Sequence, residues 1–144
     1  MKGYFKPIHP QKYRGDPTNI IYRSSWELKF MQYLDSHSGV LRWSSEEIIV
    51  PYRSPIDGKV HRYFPDFWIE KINREGKKDI VVVEVKPYAQ TKEPKPSKKL
   101  TKKYLYEVQT WGINISKWQA AEKFCKDRGW QFMIMTEKEL GIKY

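Results

Sequence analysis

Cysteine is nearly absent from this chain. Cys125 stands alone among 144 residues, so no internal disulfide can form and no zinc ribbon can be built. A single thiol fits a reducing compartment. Histidine is scarce as well, and His9, His37 and His61 are scattered without a nearby cysteine or histidine partner, which excludes a zinc site of ordinary spacing. No run approaches the roughly 20 apolar residues a membrane-spanning helix needs, and the N-terminus lacks an apolar export segment. The expectation is a protein with no membrane role and no export. Acid is in deficit too: seventeen Asp and Glu face twenty-seven Lys and Arg, a formal net charge of +10. Such an excess on a small domain attracts polyanions in a salt-dependent way.

What remains is rich in aromatics, 15% of the chain with six Trp and ten Tyr, and reads as one domain over residues 1–144. Residues 1–23 read as an irregular basic arm, with Pro7, Pro10, Gly15 and Pro17 among five basic residues. Ser24 and Glu27 form a capping box that opens a helix carrying Trp26, Leu28, Phe30, Met31, Tyr33 and Leu34. Strands are expected over 45–53, then from Val60 to about Ile72, with turn residues Pro55, Asp57 and Gly58 between them. The run Ile80-Val81-Val82-Val83-Glu84-Val85-Lys86 predicts a central strand buried on both faces, reached through a turn at Asn73–Gly76. A basic loop over about 87–99 follows, rich in proline and lysine. The spacing of Leu100, Tyr104, Val108 and Trp111 predicts a helix over 98–111 ended by Gly112. A second helix then runs to Gly129, a last strand spans Trp130–Met135, and Thr136 with Glu139 caps a terminal turn. Tight turns make the first strands an antiparallel meander. The helical crossover makes the last strand parallel to its neighbour. The fold class is α/β, a mixed β-sheet flanked by helices.

Alternation along a strand puts Glu84 and Lys86 on one face, with Ile80 and Val82. Asp66 lies on the preceding strand and comes near Glu84 through the meander, a pairing for which the residue count suggests a bulge. Two carboxylates this close repel unless a hard cation sits between them, and Mg²⁺ suits one or two carboxylates completed by water and phosphate oxygens. An ammonium beside that pair can orient water or neutralise charge building on a phosphate. Glu27 is either a fourth member of this group or only the closing residue of its capping box. Lys92, Lys95, Lys98, Lys99, Lys102 and Lys103 lie just beyond the strand and are candidates for phosphate contact, with Arg62 and His61 as weaker ones. A plain surface salt bridge and a solvated loop would use the same residue types.

Pro65-Asp66 followed by Glu84-Val85-Lys86 resembles the PD-(D/E)XK nuclease motif, and the order of elements resembles that restriction-endonuclease-like fold. More specific strings extend the likeness over about Tyr13 to Leu140. Arg23-Ser24-Ser25-Trp26-Glu27-Leu28, Trp43-Ser44-Ser45-Glu46-Glu47, Pro55-Ile56-Asp57-Gly58-Lys59 and His61-Arg62-Tyr63-Phe64-Pro65-Asp66-Phe67 resemble the head-completion nucleases of T4-like tailed phages. Those are relatives of TnsA-type transposon endonucleases. The resemblance implies that Glu27, Asp66 and Glu84 bind metal and that Lys86 is the catalytic lysine. It also implies Mg²⁺ as cofactor, with Mn²⁺ able to substitute, and cleavage of DNA to a 5′-phosphate. The implied setting is the host cytoplasm during infection, with phage portal, neck or capsid proteins as partners; the oligomeric state stays open, because cutting both strands is met by a homodimer, by sequential nicking or by assembly on the capsid. In the TnsA branch glutamine commonly replaces the acid before x-Lys, whereas Glu84 stands here. No Gln-x-x-x-Tyr pattern follows Lys86, so Gln109 takes no exonuclease role. The competing readings are a structural neck or portal component with an inactive nuclease fold, and a DNA-binding module without catalysis. A complete Asp66, Glu84 and Lys86 set favours the enzyme, because a relic should have lost one member.

Overall fold

The computed structural model describes residues 1–140. From the N-terminus the chain forms β1 (Gly3–Tyr4), a 3-10 turn at Pro10–Lys12, β2 (Ile21–Tyr22), α1 (Ser25–Ser36), β3 (Val40–Ser45), β4 (Val50–Arg53) and β5 (Val60–Tyr63). It continues through β6 (Phe67–Ile72), β7 (Lys78–Val85), a 3-10 turn at Tyr88–Thr91, α2 (Lys102–Asp127), β8 (Gln131–Met135) and α3 (Glu137–Leu140). Among the described residues no helix is long and apolar enough to cross a membrane.

The main sheet has the order β3-β6-β7-β8, antiparallel except for the parallel pair β7-β8. The unbroken β-branched run places β7 in its interior, where Val82 is fully buried. Period-two alternation then assigns the two faces. Phe67, Ile69, Val81 and Val83 pack with Phe30, Met31 and Leu34 of α1, while Trp68, Val82 and Cys125 pack with α2 residues such as Phe124. Helices therefore cover both sides of a mixed sheet, as the sequence predicts. Burial among these side chains pushes the Cys125 thiol up to about 11, away from reactivity.

Several details differ from expectation. The arm before residue 23 is less irregular than its prolines suggest: β1 and β2 pair, and Phe5, Tyr13 and Ile20 are buried in the core. Buried Asp35 anchors the arm by accepting from the Ile8 and His9 backbone N–H groups at 2.7 and 3.0 Å. The region 45–53 holds the last residue of β3, Ser45, and the four-residue β4. The aromatic run from Val60 to Ile72 breaks at Phe64-Pro65-Asp66, because a proline cannot donate to a ladder. Its first part, β5, pairs with β4 in a separate two-stranded sheet that packs on α2. Two predicted helices are one. α2 passes through Gly112 and Asn114 without interruption, since a single helical glycine costs only about 1 kcal/mol against the packing of Trp118, Ala121 and Cys125. The true N-cap is Thr101, whose Oγ1 accepts the Tyr104 N–H at 3.1 Å.

Candidate active site

The β6-β7 ladder runs without a bulge from Phe67↔Val83 to Ile72↔Lys78. A five-residue loop, Asn73 to Lys77, closes it, with Gly76 at φ 76° and the Asn73 side chain accepting from Glu75 and Lys77. Continued by one step, that register sets Asp66 opposite Glu84. The expected bulge is absent because the loop is centred on Glu75. Asp66 is fixed by its neighbours: its Oδ2 accepts the Val85 N–H at 2.7 Å, and its carbonyl accepts the Glu46 N–H at 3.1 Å. Glu46 holds that geometry with a left-handed φ of 55°, which costs a residue bearing a Cβ about 1–2 kcal/mol.

Glu84 faces the α2 side and is 7% exposed. Its Oε2 accepts from the Tyr63 hydroxyl at 2.6 Å, and its Oε1 lies 3.9 Å from Lys86 Nζ. Burial raises the pKa of Glu84, while Tyr63, Lys86 and Lys117 pull it back. Asp66 is pushed up to about 8, first by burial and then by the charge of Glu84. Glu27 and Glu46 add to that repulsion from other elements. Burial and like charge raise both carboxylates, an environment that a bound cation would relieve. Tyr63, buried and bonded to Glu84, is itself raised.

Glu27 sits in the first turn of α1. Its backbone N–H donates to Ser24 Oγ at 3.1 Å, and Ser24 Oγ reaches its Oε1 at 3.5 Å. The capping contact is therefore real, yet burial followed by Glu46 raises the Glu27 pKa, and Glu27 feeds the repulsion at Asp66. Both roles hold for one side chain. Arg23 pairs with Glu46 beside this group. Among the described residues no three acids, histidines or cysteines converge as a metal cage. The donor set nevertheless fits Mg²⁺, which asks for one or two carboxylates with water and phosphate completing its octahedron. Asp66 and Glu84 would supply that pair, with Glu27 adding negative charge from the other layer.

Lys86 lies beside Glu84, the one of the three acids to which it is paired. Lys92, Lys95, Lys98 and Lys99 are exposed on the extended segment after β7, Lys92 lying 5.1 Å from the Tyr88 ring. Lys102 and Lys103 are exposed too, although they open α2 instead of belonging to the loop. Arg62 is exposed on β5, without an ion pair among the described residues and 5.9 Å from the Phe64 ring. Three residues went unread in the sequence: Tyr63, Glu46 and Lys117. Lys117 carried a signal, since it lies on the buried α2 stripe of Asn114, Trp118 and Ala121, where an ammonium is out of place.

Residues 37–137 match the family described as TnsA-like endonuclease N terminal. The chain is 37% identical to the head completion nuclease of Enterobacteria phage T4, over 98% of this chain and 96% of that protein. No solved structure matches.

Proposed function

The chain belongs to the TnsA-like endonuclease family and is a DNA endonuclease of phage head completion; from that premise we propose that it hydrolyses DNA phosphodiesters with Mg²⁺ held by Asp66 and Glu84. The observation that carries this reading is the β6-β7 register, which leads Asp66, one residue before β6, to the position opposite buried Glu84, with Lys86 Nζ 3.9 Å from Glu84. Each acid uses one oxygen on a protein donor, Val85 N–H or Tyr63 hydroxyl, which fixes its direction. Bound between these carboxylates, Mg²⁺ would supply polarisation of the scissile phosphate and a more acidic water. Lys86 orients the attacking water and offsets charge on the phosphate oxygens as the P–O bond to the 3′ oxygen breaks, leaving a 5′-phosphate. Glu27 supports the cation through its charge. Mn²⁺ substitutes because it accepts the same oxygen donors.

Exposed Lys92, Lys95, Lys98, Lys99, Lys102 and Lys103, with Arg62, hold the DNA backbone without reading its sequence. The setting is the infected host cell, in its cytoplasm, at genome ends presented by portal, neck or capsid proteins. Cutting both strands is met by a homodimer or by successive nicks. The test is conversion of supercoiled DNA to nicked and linear forms with Mg²⁺. Activity that persists in EDTA contradicts the proposal.

A further inference from the structure

α2 brings a second ammonium to Glu84. Lys117 Nζ lies 5.5 Å from the centre of the Tyr63 ring and 5.7 Å from that of Tyr52. Tyr63 is the residue whose hydroxyl holds Glu84 Oε2, while Lys86 stands on the Oε1 side. Glu84 therefore has a lysine from β7 near one oxygen and a lysine from α2 beside the tyrosine that binds the other. Lys117 is half-buried, and among the described residues it has no hydrogen bond and no carboxylate within 4 Å. Its surroundings are two aromatic faces and the field of Glu84.

An ammonium held inside a domain without a close counter-ion is costly unless something else supplies the anion. Glu84 serves only while its charge is unshared. A divalent ion on Glu84 would turn that field against Lys117, leaving two cations on one side of the sheet with an anion still to be provided. A DNA phosphate bound at the same place supplies it. We infer that Lys117 is a second phosphate-binding cation of this active site, acting beside Lys86 on the scissile phosphodiester or the one next to it.

This inference rests on the nuclease reading above, and the two fail differently. Wild type, Lys117→Met and Lys117→Arg are compared as full chains. The readouts are single-turnover cleavage of a short duplex with Mg²⁺, duplex binding in Ca²⁺ over a salt series, Mg²⁺ binding without DNA, and melting temperature. Lys117→Met should cleave about a hundredfold more slowly, the effect of losing one group aimed at transition-state charge. Lys117→Arg should recover to within about tenfold of wild type, because a guanidinium still offers a cation to phosphate. The slope of log affinity against log salt should fall by about one in Lys117→Met. Without DNA, Mg²⁺ should bind Lys117→Met several-fold more tightly, since a nearby like charge has gone. A purely structural lysine would not lower the salt slope or be rescued by arginine, whereas the Mg²⁺ change reports only that its charge lies near Glu84. Cleavage by Lys117→Met within about threefold of wild type overturns the inference. So does Lys117→Arg cleaving as slowly as Lys117→Met. A wild type inert with every divalent ion overturns the nuclease reading itself.

Discussion

The Tyr63 hydroxyl donates to Glu84 Oε2 at 2.6 Å, and with that contact the small β4-β5 sheet is tied to the end of β7. Tyr63 is 4% exposed and Glu84 7%, so neither group has water to fall back on. Tyr63→Phe leaves a buried carboxylate short of a donor, at a cost of about 1.5–3 kcal/mol. It also releases the direction in which Glu84 points, and loss of such an orienting partner typically lowers metal affinity or activity about 10–100-fold. Denaturant unfolding and Mg²⁺ titration of the variant check both. An unchanged metal affinity would remove Tyr63 from the account of the site.

Burial and Glu84 raise Asp66 to about 8 from its ordinary 3.8. Between those values the folded, metal-free protein binds more protons at this position than the unfolded chain. Asp66 therefore stabilises least as pH rises through that window, and its charged form opposes folding near pH 8. Asp66→Asn, whose amide oxygen still accepts from Val85, should stabilise the metal-free protein by on the order of 1–3 kcal/mol near pH 8 and by less near pH 5. Melting curves in EDTA at the two pH values measure this. Equal gains at both would contradict it. In wild type, Mg²⁺ must displace that proton, so its binding should strengthen with pH and release protons.

Gly112 lies inside α2, and a Cβ built on it would touch only Pro55 Cγ at 3.8 Å, an ordinary contact. Gly112→Ala should stabilise the protein by about 0.5–1 kcal/mol through the unfolded chain's lost freedom and better helix propensity. A loss of stability in denaturant unfolding would show that the helix needs a glycine there.

Lys92, Lys95, Lys98 and Lys99 are exposed on the segment leading from the site to α2. Replacing all four by glutamine should weaken DNA binding at low salt and lower the salt slope by about 3.6. Melting temperature should hardly change, because these side chains make no core contact. An unaltered slope would take the segment out of the DNA-binding surface.

Legibility in the sequence followed burial. The apolar run of β7 carries its own signature, and the closeness of Glu84 and Lys86 follows from strand alternation, so that pairing could be read directly. Ser24 and Thr136 announced their turns through side-chain capping, and both make those contacts. β3 carries no strand signature, because Val40-Leu41-Arg42-Trp43-Ser44-Ser45 does not alternate: its buried members include two serines, held by tertiary packing. The aromatic stretch before Asp66 resembled one strand because hydrophobicity does not register which sheet a segment joins. Pro65 held that information, and it breaks the run just where Asp66 must turn toward Val85. Gly112 misled in the other direction, as packing on both sides of it outweighs its local cost. Lys117 and Tyr63 are distant from Glu84 in sequence and reach it only through the packing of α2 and β5.

The most direct measurement pairs metal binding with cleavage in two variants. Glu84→Ala should lose high-affinity Mg²⁺ binding and DNA cleavage together, because it removes half of the carboxylate pair. Lys86→Ala should keep Mg²⁺ binding and still cleave at least about 10²-fold more slowly, because its ammonium acts on the phosphate and water. Cleavage by either variant at the wild-type rate would contradict the assignment of Asp66, Glu84 and Lys86 as the nuclease site.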